Sequence, residues 1–409
     1  MGSVARVRGR SVIFVLSVVF GVLFVAACGA DDAGSTEPAT TEPTTTGLAT
    51  TEPVTPEPAT TEPATTEPAT TQATTTEPVT TEPVTTEPAT TEPRGAGAPT
   101  SDSALDRVPD PEASTVGELL ALVRPVVAAH AGGDFDFPHS TMFAYAEAAL
   151  AGTDVLEMDV MLTADGVLVV HHDDTVDRTT ETSGVVRDLT YTQLEVLDNA
   201  YWFSGDVWVD KNLPDESYVW RGVRTGDRPP PEGYLPDDFR IETFASVSEA
   251  FPAHVLDVEI KVQSGADGEP DLDQAFETAR VLADEIERLD RTDSVIVVSF
   301  DDRVIEMFRT MAPEVATSPG LDILVAWYTG AEVEFAVQDV VFQVPPVFEG
   351  IEVLTADTVQ RAHDDGFDVW AWMSSGDQEN AEFYRELTDR GVDGLIVARP
   401  AEAVSVARR

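Results

Sequence analysis

The sequence predicts a single α/β domain, a (β/α)8 TIM-type barrel with an insertion at about 199–240. Three observations predict it. Short Val/Ile/Leu-rich runs alternate with helical patterns from about residue 114 to the C-terminus, the signature of a parallel sheet covered by helices. The runs number eight once one hairpin-like excursion is set aside, which is the barrel count. Their polar residues fall at their C-terminal ends, where such barrels carry their active sites.

The chain has 409 residues in three composition regimes. Residues 1–28 combine Arg6, Arg8 and Arg10 with the apolar run "SVIFVLSVVFGVLFVAA" and then Cys28, the only cysteine. A basic segment followed by an apolar run of this length reads as an export signal. Small residues directly before Cys28 resemble a bacterial lipobox, which implies lipidation of that cysteine and tethering at the cell membrane. An uncleaved anchor, or an ordinary signal peptide leading to secretion, are the alternatives. With one cysteine no internal disulfide forms. Residues 29–113 read as a disordered linker, with 36–93 built on "TEPATTEPATTEP". Dense proline blocks helix and sheet ladders, and Thr, Glu and Ala offer no core. Stretched as polyproline II, this segment spans up to roughly 180 Å. It reads as a stalk, with a proline-rich ligand repeat as the alternative. Residues 114–409 are left for one folded domain, expected as a monomer.

The formal charge is −49 and only two lysines occur, Lys211 and Lys261. That excludes nucleic acid as a partner, because a phosphate backbone needs Lys and Arg. An acidic surface favours divalent cations and solubility.

In chain order the runs are 126–132, 154–160, 167–173, 254–261, 294–300, 314–321, 340–346, 368–373 and 392–400. The second and third are joined only by "MLTADG", too short for a parallel crossover. The third therefore turns back at Asp165-Gly166 as a hairpin excursion. An open doubly wound sheet is the competing arrangement, and no GxGxxG follows the first run to support it. Residues 199–240, rich in Trp, Tyr, Pro, Gly and Asp, lack helical periodicity and read as a rim insertion of the lid or binding type.

The polar strand-end residues are His130, Glu157, Asp159, His172, Glu259 and Lys261. Residues i and i+2 on a strand share a face, about 6.6 Å apart. Glu157 and Asp159 thus point one way, as do Glu259 and Lys261. Three bare carboxylates converging inside a barrel repel one another. A hard divalent cation, Ca2+ or Mg2+, relieves this with all-oxygen ligation; an interior salt-bridge cluster neutralised by Lys261 is the plainer alternative. Two histidines beside such a site suit general acid and general base work on a phosphorus centre. His171 alternates to the other face and is expected to be structural. Phe300, Trp370 and Trp372 are expected to form either an apolar wall or packing.

The segment from His130 to Thr180 resembles the glycerophosphodiester phosphodiesterase family. The family's H-R-G, P-E-N-T, E-x-D, T-x-D-G and H-D-x-T-x-R-T-T pieces stand here as "HAG", "PHST", "EMD", "TADG" and "HDDTVDRTT". "RIETFASVSEAF", "VEIK", "VVSFD", "VWAWM" and "RGVDGLIVARP" match later landmarks in order. The resemblance covers about 115–405. It implies hydrolysis of glycerophosphodiesters to glycerol phosphate and an alcohol, with His130 and His172 catalytic. It implies Glu157, Asp159 and Glu259 as metal ligands and Lys261 beside the phosphate. The family's Arg after the first His is Ala131 here, its P-E-N-T Glu and Asn are His139 and Ser140, and a late Asp is Ala398. Arg178, Arg221 and Arg224 are the candidates to restore the lost charge. Two other readings stay open: a phospholipase acting on intact lipid, of the phospholipase D-like or phosphatidylinositol-specific type, and a non-catalytic lipoprotein that binds headgroups.

Overall fold

The structure, a computed structural model, describes residues 103–205, 209–265 and 268–409. The leader, Cys28 and the Thr/Glu/Pro repeats lie outside the described residues. The described residues reach back before residue 114, where the composition placed the boundary. Ala104 is fully buried and its amide donates to the Gly233 carbonyl at 3.0 Å. A short helix, α1 (Val116–Leu119), follows with Thr115 as its cap.

Strand β1 (Val126–Ala129) leads through a 3-10 turn to α2 (Met142–Ala151), capped by Thr141 and ended by left-handed Gly152. β2 (Val155–Leu162) is buried throughout. It folds back at Asp165-Gly166 into β3 (Leu168–Val170), which pairs with it antiparallel, as the short connection requires. α3 (Tyr191–Leu194), the insertion and β4 (Glu242–Thr243) come next, and β4 pairs antiparallel with β3. The remaining chain alternates in the expected way. α4 (Phe244–Ala250), β5 (Val255–Ile260), α5 (Leu272–Arg288), β6 (Val295–Val298) and α6 (Asp302–Met311) form one half. β7 (Ala316–Thr317), α7 (Leu321–Tyr328) and β8 (Val341–Val344) follow, with a small hairpin of β9 (Val347–Phe348) and β10 (Ile351–Glu352). α8 (Ala356–Asp365), β11 (Asp368–Trp372), α9 (Ala381–Asp389), β12 (Gly394–Val397) and α10 (Pro400–Ala407) end the chain.

Eight strands run parallel in the order β7-β6-β5-β2-β1-β12-β11-β8. A single bridge between Thr317 and Asp339 links β7 to the entry of β8, so the sheet is a nearly closed barrel. The excursion β3 lies off this path, which is why eight strands and not nine make the wall.

The core has an inner and an outer part. Inward residues of the first turns of the strands, among them Val126, Val155, Val255, Ile296 and Val341, pack with Val116 and Leu119 of α1. α1 therefore plugs the N-terminal end. Trp370 belongs to this inner layer, 1% exposed, with Gly394 pressed against its ring. It is packing and not part of a wall at the mouth. The outward residues pack on the helices: α5, for example, buries Ala275, Ala279, Leu282 and Ile286 at helical spacing, the amphipathic pattern its sequence carries.

The insertion has an ordered path. Trp220 and Tyr234 pack on Phe143 of α2 at 4.9 and 4.7 Å between ring centroids, and Tyr234 Oη donates to Glu147 at 2.5 Å. Its only regular elements among the described residues are 3-10 turns, at Asp215–Ser217 and Pro236–Phe239.

Candidate active site

The register of β2 and β5 assembles the acidic cluster. Glu157 pairs with Asp257 and Asp159 with Glu259 across the two parallel strands. All four carboxylates are thus placed at two levels of the barrel interior. At the lower level Asp257 is fully buried and both its oxygens accept from Gln343 Nε2, at 2.8 and 2.9 Å. At the upper level Lys261 Nζ lies 3.0 Å from Asp159 and 3.2 Å from Glu259. Glu157 turns instead towards β1, accepting the Ala131 amide at 2.7 Å.

The electrostatics follow from crowding and burial. Burial raises the Glu157 carboxyl and the Asp159 charge adds to it, so its pKa stands well above the ordinary value. Burial also raises Glu259, against the pull of Lys261. Asp159 is held low, at about 2, because Lys261, His172 and His130 outweigh its burial. Burial disfavours the Lys261 charge, yet the Asp159 and Glu259 charges hold the ammonium protonated, above its usual range.

The histidines come from two different elements. His130 follows β1 directly, on a turn whose next residue, Ala131, has φ 45°. Gly132 and Gly133 also have positive φ, and a Cβ at either would stand 2.8 Å from Ala144 or Pro400. The "HAGG" turn is therefore clamped between α2 and α10, which fixes His130. His172 follows β3, placed by the bond from the His171 amide to the Asp159 carbonyl at 3.0 Å. The two rings meet edge to face, 5.6 Å between centroids.

Each histidine has a carboxylate on Nδ1. Asp134 lies 3.2 Å from His130 Nδ1, and Asp173 accepts from His172 Nδ1 at 2.8 Å. In each ring Nε2 is therefore the nitrogen that its carboxylate does not engage. Burial lowers the His130 pKa, but Asp134, Glu157 and Asp159 together hold it well above the usual value. Burial would raise Asp173; the His172 ring and the Arg178 guanidinium hold it far below the carboxylate range. Asp134 had no sequence signal beyond its spacing of four from His130 in a Gly-rich turn. Asp173 stood beside His172 in the sequence, but only the fold turns its carboxylate onto the ring.

The other sequence expectations place as follows. His171 is fully buried and bonds the Thr175 carbonyl at 3.2 Å, while His139 is buried 5.8 Å from it, ring to ring. Of the three arginines considered as replacements at Ala131, only Arg178 adjoins the histidine pair, bound to both Asp173 oxygens at 2.5 and 2.9 Å. Arg221 lies among the rings of Tyr201, Trp202 and Tyr218, and Arg224 donates to the Glu195 carbonyl and Asp237. Ala398 is buried and its amide is held by Glu379. Phe300 and Trp372 do form an edge-to-face pair at 5.8 Å, Phe300 two residues past β6 and Trp372 the last residue of β11.

Among the described residues, no group of three or more His, Cys, Asp or Glu side chains is drawn together as a ready metal cage. Lys261 occupies part of that role between Asp159 and Glu259. The donor chemistry nonetheless fits a hard divalent cation. Neither oxygen of fully buried Asp159 accepts a hydrogen bond, its contact with Lys261 being an ion pair by distance alone. Burial, with the Asp159 charge adding to it, raises the pKa values of Glu157 and Glu259, and a cation would offset both by favouring the charged carboxylates.

A family model, the glycerophosphoryl diester phosphodiesterase family, matches residues 130–402. The chain belongs to this family. The match spans both histidines and every carboxylate described above. A glycerophosphodiester phosphodiesterase of Caldanaerobacter subterraneus is 24% identical over 290 residues, 70% of this chain and 99% of the relative. One from Bacillus subtilis is 35% identical over 113 residues, 28% of this chain and 38% of that protein. The fold of the family also matches. A glycerophosphoryl diester phosphodiesterase domain from Mycobacterium tuberculosis gives a TM-score of 0.51 at 17% identity, over 69% of this chain and 98% of that one. A phosphodiesterase of Oleispira antarctica, solved in complex with the product sn-glycerol-3-phosphate, gives 0.51 at 19% identity, over 70% and 98%.

Proposed function

We propose that the chain hydrolyses glycerophosphodiesters to glycerol phosphate and an alcohol by two-histidine acid/base catalysis. The carrying observation is the facing pair of His130 and His172, each braced on Nδ1 by a carboxylate and 5.6 Å apart beside Lys261 and the acidic cluster. A phosphodiester seated between them has one Nε2 near the attacking hydroxyl and one near the leaving oxygen. One histidine takes the proton of the substrate's neighbouring hydroxyl as its oxygen bonds to phosphorus. The other gives a proton to the alcohol oxygen as the phosphorus–oxygen bond breaks. Water then opens the cyclic phosphate with the roles exchanged. Lys261 holds a fixed positive charge beside the phosphoryl oxygens as they gain charge.

Glu157, Asp159 and Glu259 are the residues that would hold a divalent cation, Ca2+ or Mg2+. When bound, it supplies further positive charge against the phosphoryl oxygens. Phe300 and Trp372, aromatic and on the mouth side of β6 and β11, are suited to the organic group of the substrate. That pair also favours a second reading, in which the substrate is an intact phospholipid. The leader, Cys28 and the linker are read together as a lipid-anchored stalk that holds the barrel outside the cytoplasm.

The test is turnover by residues 94–409 of a headgroup panel that includes intact phospholipids. It is run with Ca2+ or Mg2+, with EDTA, and with His130→Ala. Metal-dependent release of glycerol phosphate that disappears in EDTA and in the variant supports the proposal. Turnover of intact lipid alone moves the substrate to the second reading, and no turnover of either by folded protein overturns both. For the anchor, Cys28→Ser is expected to release the protein from the membrane fraction.

A further inference from the structure

The insertion does more than cover α2. It grips the loop after His172 at two carbonyls, those of Asp177 and Thr179, one on each side of Arg178. Lys211 Nζ donates to the Asp177 carbonyl at 2.6 Å, and the Trp202 amide donates to the Thr179 carbonyl at 3.3 Å. The Thr179 hydroxyl adds a bond to Asn199 at 2.7 Å. Between these two grips, Arg178 reaches back five residues to both oxygens of Asp173, and Asp173 holds His172 Nδ1. The path from Lys211 to the working ring is thus short: the ammonium holds the Asp177 carbonyl, the next residue along the backbone is Arg178, its guanidinium holds the Asp173 carboxylate, and that carboxylate holds the imidazole.

We infer that Lys211, on the insertion, is a positioning residue for His172, acting through the 177–179 loop and the Arg178–Asp173 pair. The inference rests on the reading of His172 as a working acid or base. Its physical content is rotational. An imidazole held at one nitrogen by a carboxylate keeps its tautomer and plane only as well as that carboxylate is held. Asp173 is oriented by Arg178, and Arg178 by the loop that the insertion pins. Lys211 itself is exposed on the surface, so its removal leaves the core intact. It also stands 5.3 Å from the Trp202 ring centroid, which keeps the two grips on one unit. Of the two lysines in the chain, Lys261 is in the site; Lys211 serves the other side of the same site at one remove.

Lys211→Met removes the carbonyl grip and keeps the stem. The expected result is a fall in kcat of about tenfold with KM unchanged, since loosened orientation affects the step and not the binding. Lys211→Arg, which restores a donor to the Asp177 carbonyl, is expected to recover most of kcat. Nitrogen NMR of the histidine rings, with His172 assigned by His172→Asn, reads the device without turnover. The unsubstituted protein is expected to show one tautomer, protonated at Nδ1, and Lys211→Met a mixture of the two. A wild type without activity sinks the catalytic reading, and the ring spectrum still decides the positioning. An unchanged His172 spectrum in Lys211→Met overturns the inference, as does an active wild type with kcat equal to that of the variant.

Discussion

Lys261→Met tests the electrostatic design of the site most directly. Lys261 Nζ faces Asp159 at 3.0 Å and Glu259 at 3.2 Å, with its side chain 18% exposed and that of Asp159 1% exposed. At an effective dielectric constant of about 20, each contact corresponds to about 5 kcal/mol of attraction. Desolvation of the three groups offsets much of that. What remains when one partner is deleted from a buried pair is about 3–5 kcal/mol, because the remaining charges are left uncompensated. Here two acids lose their cation at once, with Glu157 already crowded against them. In EDTA the variant is therefore expected to melt roughly 5–10 °C below the wild type. Added Ca2+ or Mg2+ is expected to raise its melting temperature by more than it raises the wild type's, since the cation then takes the place of the lost ammonium between Asp159 and Glu259. Thermal unfolding followed by circular dichroism, with and without metal, reads both effects. Equal melting temperatures in EDTA would refute the argument that Lys261 compensates the acidic cluster. Equal metal-induced shifts would refute the assignment of these acids as the cation's ligands.

Three further outcomes are expected. Asp134→Asn keeps the shape beside His130 but removes the charge on Nδ1; kcat is expected to fall about tenfold with little change in KM, measured on the best substrate of the panel. Phe300→Ala is expected to raise KM about tenfold with kcat held if, as proposed, the aromatic pair with Trp372 receives the organic group and not the phosphorus. His254, 3% exposed at the opposite end of the barrel, has its pKa lowered to about 4 by burial and by the Arg291 charge. A base depressed in the folded state contributes stability that is present above its unfolded value near 6.5 and is lost as pH falls through 6.5 towards 4. Urea titrations are expected to show the wild type losing about 3 kcal/mol more over that interval than His254→Phe.

The period of the sequence determined the architecture. Continuous apolar runs separated by amphipathic stretches leave few solutions other than a parallel sheet wrapped in helices, and the short "MLTADG" connection removed β3 from the barrel count. The period of two within a strand also set which residues share a face, so Glu157 with Asp159 and Glu259 with Lys261 were legible as pairs. What the sequence could not carry was register and the path of irregular backbone. Only the pairing of β2 with β5 sets Asp159 opposite Glu259 and so makes Lys261 bridge them. Only the positive-φ turn after β1 brings Asp134 back onto His130. Trp370 and Trp372 look alike in sequence. Trp370 lies within the inner layer, whereas Trp372, two residues further along the same strand, packs against that layer and also pairs with Phe300, because the height at which β11 enters the sheet sets the level of each ring. The bond of Ala104 to Gly233 and the grip of Lys211 on the His172 loop are likewise contacts between segments far apart in sequence. Local periodicity is written along the chain, whereas the meeting of distant residues depends on how the whole sheet closes.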